Sequence, residues 1–111
     1  MRRLLLRSSL LIGLSLFAFS ALAQVKEYKL TLRNHRFVPS ELTIPANTKV
    51  KLVVVNEDAT PEEFESHELN REKIVTGKGT ISVYVGPLKP GRYPFFGEFH
   101  VDTAQGVLIA K

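Results

Sequence analysis

The sequence predicts an all-β protein, a sandwich or barrel of seven to eight short strands. Three observations carry this. Apolar residues recur at every second position in several short runs, the period of a half-buried strand. Gly and Pro punctuate those runs, at Pro39, Pro45, Gly77, Gly79, Gly86-Pro87 and Pro90-Gly91. No segment carries a continuous apolar stripe at helical spacing. Many short strands with such punctuation define an antiparallel sandwich or barrel.

Val25 to Leu32 reads as the first strand, with Tyr28, Leu30 and Leu32 on one face. Asn34-His35-Arg36 interrupts it, and Phe37 to Ser40 reads as a turn. Glu41 to Ile44 is a short strand closed by Pro45-Ala46-Asn47. Pro39 and Pro45 lack an amide donor, so both belong at sheet edges. Thr48 to Val55 is the clearest strand, and Val53-Val54-Val55 suggests burial on both faces of its second half. Thr60 to Val75 is ambiguous. Thr60, Pro61 and Glu63 make a helix start with a capping box, yet Phe64, Leu69, Ile74 and Val75 make no helical stripe. As strand, Glu63 and Glu65 share one face and Phe64 points the other way. Gly77-Lys78-Gly79 signals a hairpin turn. Ile81, Val83 and Val85 then share one strand face. Arg92 to Phe99 reads as a strand rich in aromatics. At its end Glu98 and His100, two residues apart, are expected on one side. Asp102 to Gly106 reads as a polar loop before the closing apolar run Val107 to Ala110.

The first 23 residues are read as a leader rather than fold. Arg2, Arg3 and Arg7 precede the apolar run Leu10 to Ala18, and Ala21-Leu22-Ala23 is a small-residue cleavage site. The apolar run is shorter than the roughly 20 residues that span a bilayer. No Cys follows it, so lipid attachment at the cleavage site is excluded. Residues 24–111 form one small domain. Without the three leader arginines, 12 Lys+Arg face 11 Asp+Glu, so the basic balance of the whole chain largely belongs to the leader. A near-neutral domain gives no basis for nucleic-acid binding. The chain has no cysteine. An exported domain without one has no disulfide, no thiolate nucleophile and no thiolate metal ligand.

Catalytic motifs are absent: no G-x-S-x-G, no phosphate-cradling glycine loop, no H-E-x-x-H. A carboxylate pair of Glu63 or Glu65 with Glu98 is the one hydrolytic arrangement to consider, and so small a sandwich leaves little room for a substrate cleft. The expectation is a binding protein, not an enzyme. Metal binding fits better. His67, His100, the glutamates at 62, 63, 65 and 68, and Glu98 supply imidazole and carboxylate without thiolate, a set suited to Cu(II), Fe or Zn. Each has a plainer reading too. The acidic segment can be a solvated face, His67 an exposed side chain, and His100 a loop imidazole bonded to its own turn. His35 is read as a structural histidine pinning the first turn rather than a ligand.

The stretch Leu88-x-Pro90-Gly91-x-Tyr93-x-Phe95-Phe96-Gly97-x-x-His100 resembles the C-terminal motif of cupredoxins, P-G-x-Y-x-F-x-C-x-x-H-x-x-x-x-M. Phe37 to Glu41 and the strand ending at Asn56 resemble cupredoxin strands as well. More narrowly, Pro61 to Ser66 (PEEFES) with Phe95 to His100 (FFGEFH) resembles EfeO-type cupredoxin-like domains, exported proteins associated with iron-permease uptake systems. The resemblance implies a Greek-key β-sandwich over residues 24–111, and strand rather than helix over Phe64 to Leu69. It puts the blue-copper cysteine on Gly97, the C-terminal histidine ligand on His100, and the axial methionine near Gln105. The upstream histidine ligand falls within Glu62 to Glu65, where Glu63 and Glu65 are taken as donors.

The implied protein is periplasmic and binds a copper or iron ion through Glu63, Glu65, Glu98 and His100. It is accessory to iron or copper uptake beside a membrane iron permease or periplasmic component, and it is not a blue-copper electron carrier. The rival reading is a metal-free interaction module docking a membrane transporter or periplasmic partner. Convergence of the donors separates the two.

Overall fold

Nine strands in two stacked sheets make up a β-sandwich in the computed structural model, which describes residues 24–111. The leader expected over residues 1–23 lies outside the described residues. The strands are β1 (Glu27–Arg33), β2 (Arg36–Val38), β3 (Glu41–Ile44), β4 (Val50–Asn56), β5 (Glu62–Ser66), β6 (Arg71–Val75), β7 (Thr80–Val85), β8 (Gly91–Gly97) and β9 (Gln105–Ala110). One sheet runs β2-β1-β4-β7, the other β3-β9-β8-β5-β6. The all-β expectation holds, with more strands than expected. Arg36–Val38, read as interruption and turn, pairs with β1 as an edge strand. The pairing is mixed rather than antiparallel throughout as expected: β1 runs parallel to β4, and β3 parallel to β9, pairs between strands that no hairpin joins.

Period-two patterning explains the core. Leu30 and Leu32 of β1, Val50, Leu52 and Val54 of β4, and Val83 and Val85 of β7 are buried from one sheet. Phe64, Val75, Phe95, Leu108 and Ala110 meet them from the other. Phe37, Phe64 and Phe95 join across the sandwich, with ring centroids 4.9 to 6.1 Å apart. Val53 and Val55 are only half-buried, so β4 keeps one face toward solvent. Pro39 and Pro45 flank β2 and β3, both edge strands, as expected from a residue that cannot donate to a ladder.

The capping signal at Thr60 loses to tertiary pairing. Glu62–Ser66 is a strand between β6 and β8, alternating buried and half-buried side chains. Local propensity is a weak prior against two sheet neighbours and a buried Phe64. The Gly77-Lys78 turn forms, with Gly79 N donating to Thr76 O at 2.9 Å. It is not a hairpin, because β6 and β7 belong to different sheets. Arg71 Nε and Lys73 Nζ of β6 instead donate to Tyr84 O and Ser82 O at 2.9 and 3.1 Å. Basic side chains thereby occupy carbonyls on the free edge of β7, a known protection against edge-to-edge association.

Buried Asn56 ties the end of β4 to its surroundings. Its Nδ2 donates to Thr60 O at 2.8 Å and Thr76 O at 3.2 Å, and its Oδ1 accepts from Asp58 N at 3.0 Å. One side chain thus fixes the entry to β5, the β6–β7 corner and the position of Asp58.

Candidate metal centre

The alternation of β5 aims Glu62, Phe64 and Ser66 inward. Glu62 is 3% exposed, and each of its oxygens is engaged. Oε1 accepts from Phe99 N at 2.8 Å and Glu63 N at 3.0 Å. Oε2 lies 2.6 Å from His100 Nδ1. An ionised carboxylate only accepts, so against one Nδ1 is the donor in this contact and Nε2 is the ring nitrogen left without this partner. A buried carboxylate without such partners would be costly; here three donors surround it. Its seat depends on Gly97. A Cβ on Gly97 would stand 2.6 Å from Glu62 Cδ and 2.7 Å from Ala104 Cβ. The carboxyl group therefore fills the space beside the position where the cupredoxin motif has cysteine.

β8 ends at Gly97, and Glu98–His100 forms one turn of 3-10 helix. Glu98 and His100 therefore do not share a strand face, as the sequence reading had them. Three residues per turn separate positions two apart by most of a revolution. Both nevertheless border one open pocket, with His35, Phe99, Val101, Asp102 and Thr103. The loop is clamped behind them. Ala104 N donates to His100 O at 2.8 Å, and Gln105 Nε2 to Val101 O at 2.6 Å. Gln105, aligned with the axial methionine, thus spends its amide on the loop backbone.

His35 enters from the other sheet. Arg33 pairs with Arg36, leaving Asn34-His35 as a two-residue turn with φ of 52° and 59°. Its ring stacks on His100 with centroids 3.6 Å apart and 11° between planes. The histidine read as pinning the first turn has its amide pinned there, while its ring faces the pocket. Imidazole lone pairs lie in the ring plane, so parallel rings do not aim at one point. Two-histidine ligation of one ion needs the stack to open.

Glu63 and Glu65 do not join this group. They lie on the opposite face of β5 from Glu62, beside Glu72. Among the described residues, Glu63, Glu65 and Glu72 are the only acidic or imidazole trio whose donor atoms all lie within 4.8 Å. They are half-buried to exposed carboxylates with no imidazole, the solvated acidic face of the plainer reading. The convergence expected of Glu63, Glu65, Glu98 and His100 is not found. Glu62 takes the place given to its neighbours because an odd step along a strand reverses the face. His67 is exposed, its ring 5.5 Å from that of Phe96.

Partial burial and then repulsion from Glu72 and Glu65 hold the Glu63 carboxyl above its ordinary value. A raised carboxyl pKa favours the folded state when protonated, so its ionisation subtracts stability as pH rises through the folded value. Glu63→Gln is therefore expected to raise the thermal midpoint at pH 7. The gain should vanish below the carboxylate range. Thermal melts at both pH values check this, and an equal gain at both would contradict it.

The family model of the cupredoxin-like domain matches residues 7–110, and the chain belongs to that family. It is 51% identical over 87 residues to the uncharacterized protein RP394 of Rickettsia prowazekii (strain Madrid E), covering 78% of this chain and 70% of that one. Auracyanin A, a "blue" copper protein of Chloroflexus aurantiacus, superposes with TM-score 0.69 at 15% identity, over 79% of this chain and all of that one. Amicyanin from Paracoccus versutus gives 0.61 at 17% identity, over 80% and 83%. At such identities the two structures establish the fold alone.

The copper named for auracyanin A belongs to that protein, and this chain's own donors define what a metal would meet here. With no cysteine, the thiolate of a blue-copper site cannot be supplied. A buried carboxylate paired with imidazole suits a harder ion, Cu(II) or Fe(III). The period of two could have found Glu62, since it shares the inward parity of Phe64. Nothing in the sequence signals the stacking of His35 on His100, which joins residues from two sheets.

Proposed function

We propose that this is an exported, periplasmic metal-binding protein of copper or iron handling. His100 and Glu98 offer donors to one ion at the end of the sandwich, Glu62 fixes the His100 ring from behind, and His35 joins once its ring leaves the stack. The observation that carries the reading is the buried Glu62–His100 pair, seated on Gly97 where the family motif has cysteine. Each residue has a task. His100 presents a ring nitrogen, Glu62 supplies charge and fixes the ring, and Glu98 and His35 supply further donors at the pocket wall. Without thiolate the bound ion supplies charge for retention and transfer rather than an intense blue-copper chromophore. The leader over residues 1–23 supports export. The resemblance of PEEFES and FFGEFH to EfeO-type domains supports a place beside a membrane iron permease.

Calorimetric titration of the purified protein with Cu(II) and with Fe(III) tests the reading. Binding of one ion per chain is expected. His100→Ala and Glu62→Gln should each weaken it by about tenfold or more. No binding, or binding indifferent to both substitutions, overturns the proposal. The metal-free docking module would then stand, supported by Phe99 and Val101, 47% and 46% exposed beside the pocket.

A further inference from the structure

The loop after β4 carries a carboxylate that neither the family motif nor the donor set accounts for. Asp58 Oδ1 accepts from Asn34 N at 2.8 Å, and Oδ2 accepts from His35 N at 2.9 Å. Its side chain is 17% exposed, and Oδ2 also lies 3.6 Å from His35 Nδ1. Both amides belong to the two-residue turn at the tip of the β1–β2 hairpin.

That turn has an unusual demand. A two-residue hairpin loop of this kind needs positive φ at both central positions and is ordinarily Asn-Gly. Here the second position is His35, at φ 59°. A side chain other than glycine is disfavoured there, and the conformation persists only when its surroundings over-determine it. Asp58 supplies that determination with two hydrogen bonds. It is itself placed by buried Asn56, whose Oδ1 accepts from Asp58 N. Asn56 is held in turn by Thr60 O and Thr76 O. The chain of contacts runs from the core, through one loop, to the backbone of His35, whose ring lies on His100.

We propose that Asp58 is the positioning residue of His35. It locks the Asn34-His35 turn through both amides, and its carboxylate beside Nδ1 keeps the proton there, so that Nε2 is the nitrogen offered to a metal ion. At 3.6 Å the ring contact is electrostatic rather than a hydrogen bond. The field of an anion on that side still favours a proton at Nδ1. A carboxylate behind a ligating imidazole is the usual means of fixing tautomer and ring orientation. Glu62 does the same for His100 at closer range, so two imidazoles from different sheets are each backed by a carboxylate. The inference rests on the reading of this pocket as a metal centre.

Three measurements test it. Long-range proton–nitrogen NMR of His35 in the metal-free protein should show the proton on Nδ1, and Asp58→Ala should abolish that preference while the His100 signals hold. Calorimetry with Cu(II) should show Asp58→Ala weaker by about ten- to a hundredfold. The double variant Asp58→Ala/His35→Ala should bind no more weakly than His35→Ala alone, because the effect of Asp58 passes through His35. A proton on Nε2 of His35 in the parent protein overturns the inference without any variant. So does an Asp58→Ala loss of the same size with and without His35, which would mark a merely structural role. If the parent protein binds no Cu(II), the metal-centre reading fails by itself, and the NMR result then decides whether Asp58 sets the His35 ring.

Discussion

Gly97→Ala is expected to unseat Glu62, lowering both stability and metal affinity. The added methyl would stand 2.6 Å from Glu62 Cδ, 2.9 Å from its Oε1 and 2.7 Å from Ala104 Cβ. None of these neighbours is free to retreat. Glu62 is tied to Phe99 N, Glu63 N and His100, and Ala104 is fully buried with its amide bonded to His100 O. Overpacking of this kind costs about 1–3 kcal/mol. If the carboxyl group moves instead, the amides of Phe99 and Glu63 lose their acceptor. Thermal denaturation should therefore show a clearly lower midpoint, and Cu(II) titration a weaker isotherm. The double variant Gly97→Ala/Glu62→Ala should regain part of the stability and none of the metal affinity, because it relieves the contact with the carboxyl group, though not that with Ala104 Cβ, and removes the anion. A Gly97→Ala protein as stable as the parent would refute the packing argument. The same geometry bears on the missing sulfur. Cysteine cannot simply be restored at position 97, since its Cβ meets the carboxyl first. Glu62 and Gly97 are one exchange: a small residue at one position is the condition for a buried anion at the other.

Much of this was readable before the fold was known, and the limits follow from what strand periodicity encodes. The alternation in β1, β4 and β7 marks inward faces directly, because a buried face must be apolar at every second residue. The acidic segment shows where such reading thins. Phe64 alone sets its parity, and the glutamates at 62, 63 and 65 look alike in composition. Their difference lies in the face each takes: Glu63 and Glu65 meet Glu72 and water, while Glu62 meets His100. Reading Glu98 and His100 as strand neighbours failed because Gly97 ends β8. The chain there turns into 3-10 geometry to pass around the pocket, a change no apolar period announces. His35 was least accessible of all. Its partners are 65 residues away in His100, reached by stacking two sheets, and 23 away in Asp58, just past the end of the neighbouring strand β4. Its positive φ also contradicts the local preference of a histidine. That contradiction becomes informative only once Asp58 is seen to stabilise it.

Phe95→Ala is expected to have the largest effect on stability of any single core change, about 3–5 kcal/mol. The ring is fully buried, edge-on to Phe37 at 4.9 Å and stacked on Phe64 at 5.2 Å, so it links the sheets where β2, β5 and β8 meet. Small domains are stable by only about 5–15 kcal/mol, so much of the margin would go. Across the ladder, Phe95 pairs with Gly106 of β9, and a Cβ there would lie 2.3 Å from the ring. The phenyl group rests on the bare backbone of that glycine. The two positions should therefore show strong coupling. Gly106→Ala in the parent drives a methyl into the ring and should destabilise. In the Phe95→Ala background the same methyl enters the vacated space and should stabilise, reversing sign. Denaturant unfolding of the four proteins gives the coupling energy directly. Additive effects, or a Gly106→Ala that destabilises equally in both backgrounds, would mean that the ring does not depend on Gly106 for its seat. The site has a stake in the outcome. Phe64 and Phe95 hold β5 and β8 in register, and that register puts Phe64 opposite Gly97, two residues beyond Glu62. Loss of Phe95 should loosen the Glu62–His100 contact before the sandwich opens, and metal affinity should fall in Phe95→Ala even at temperatures where its far-ultraviolet circular dichroism is unchanged.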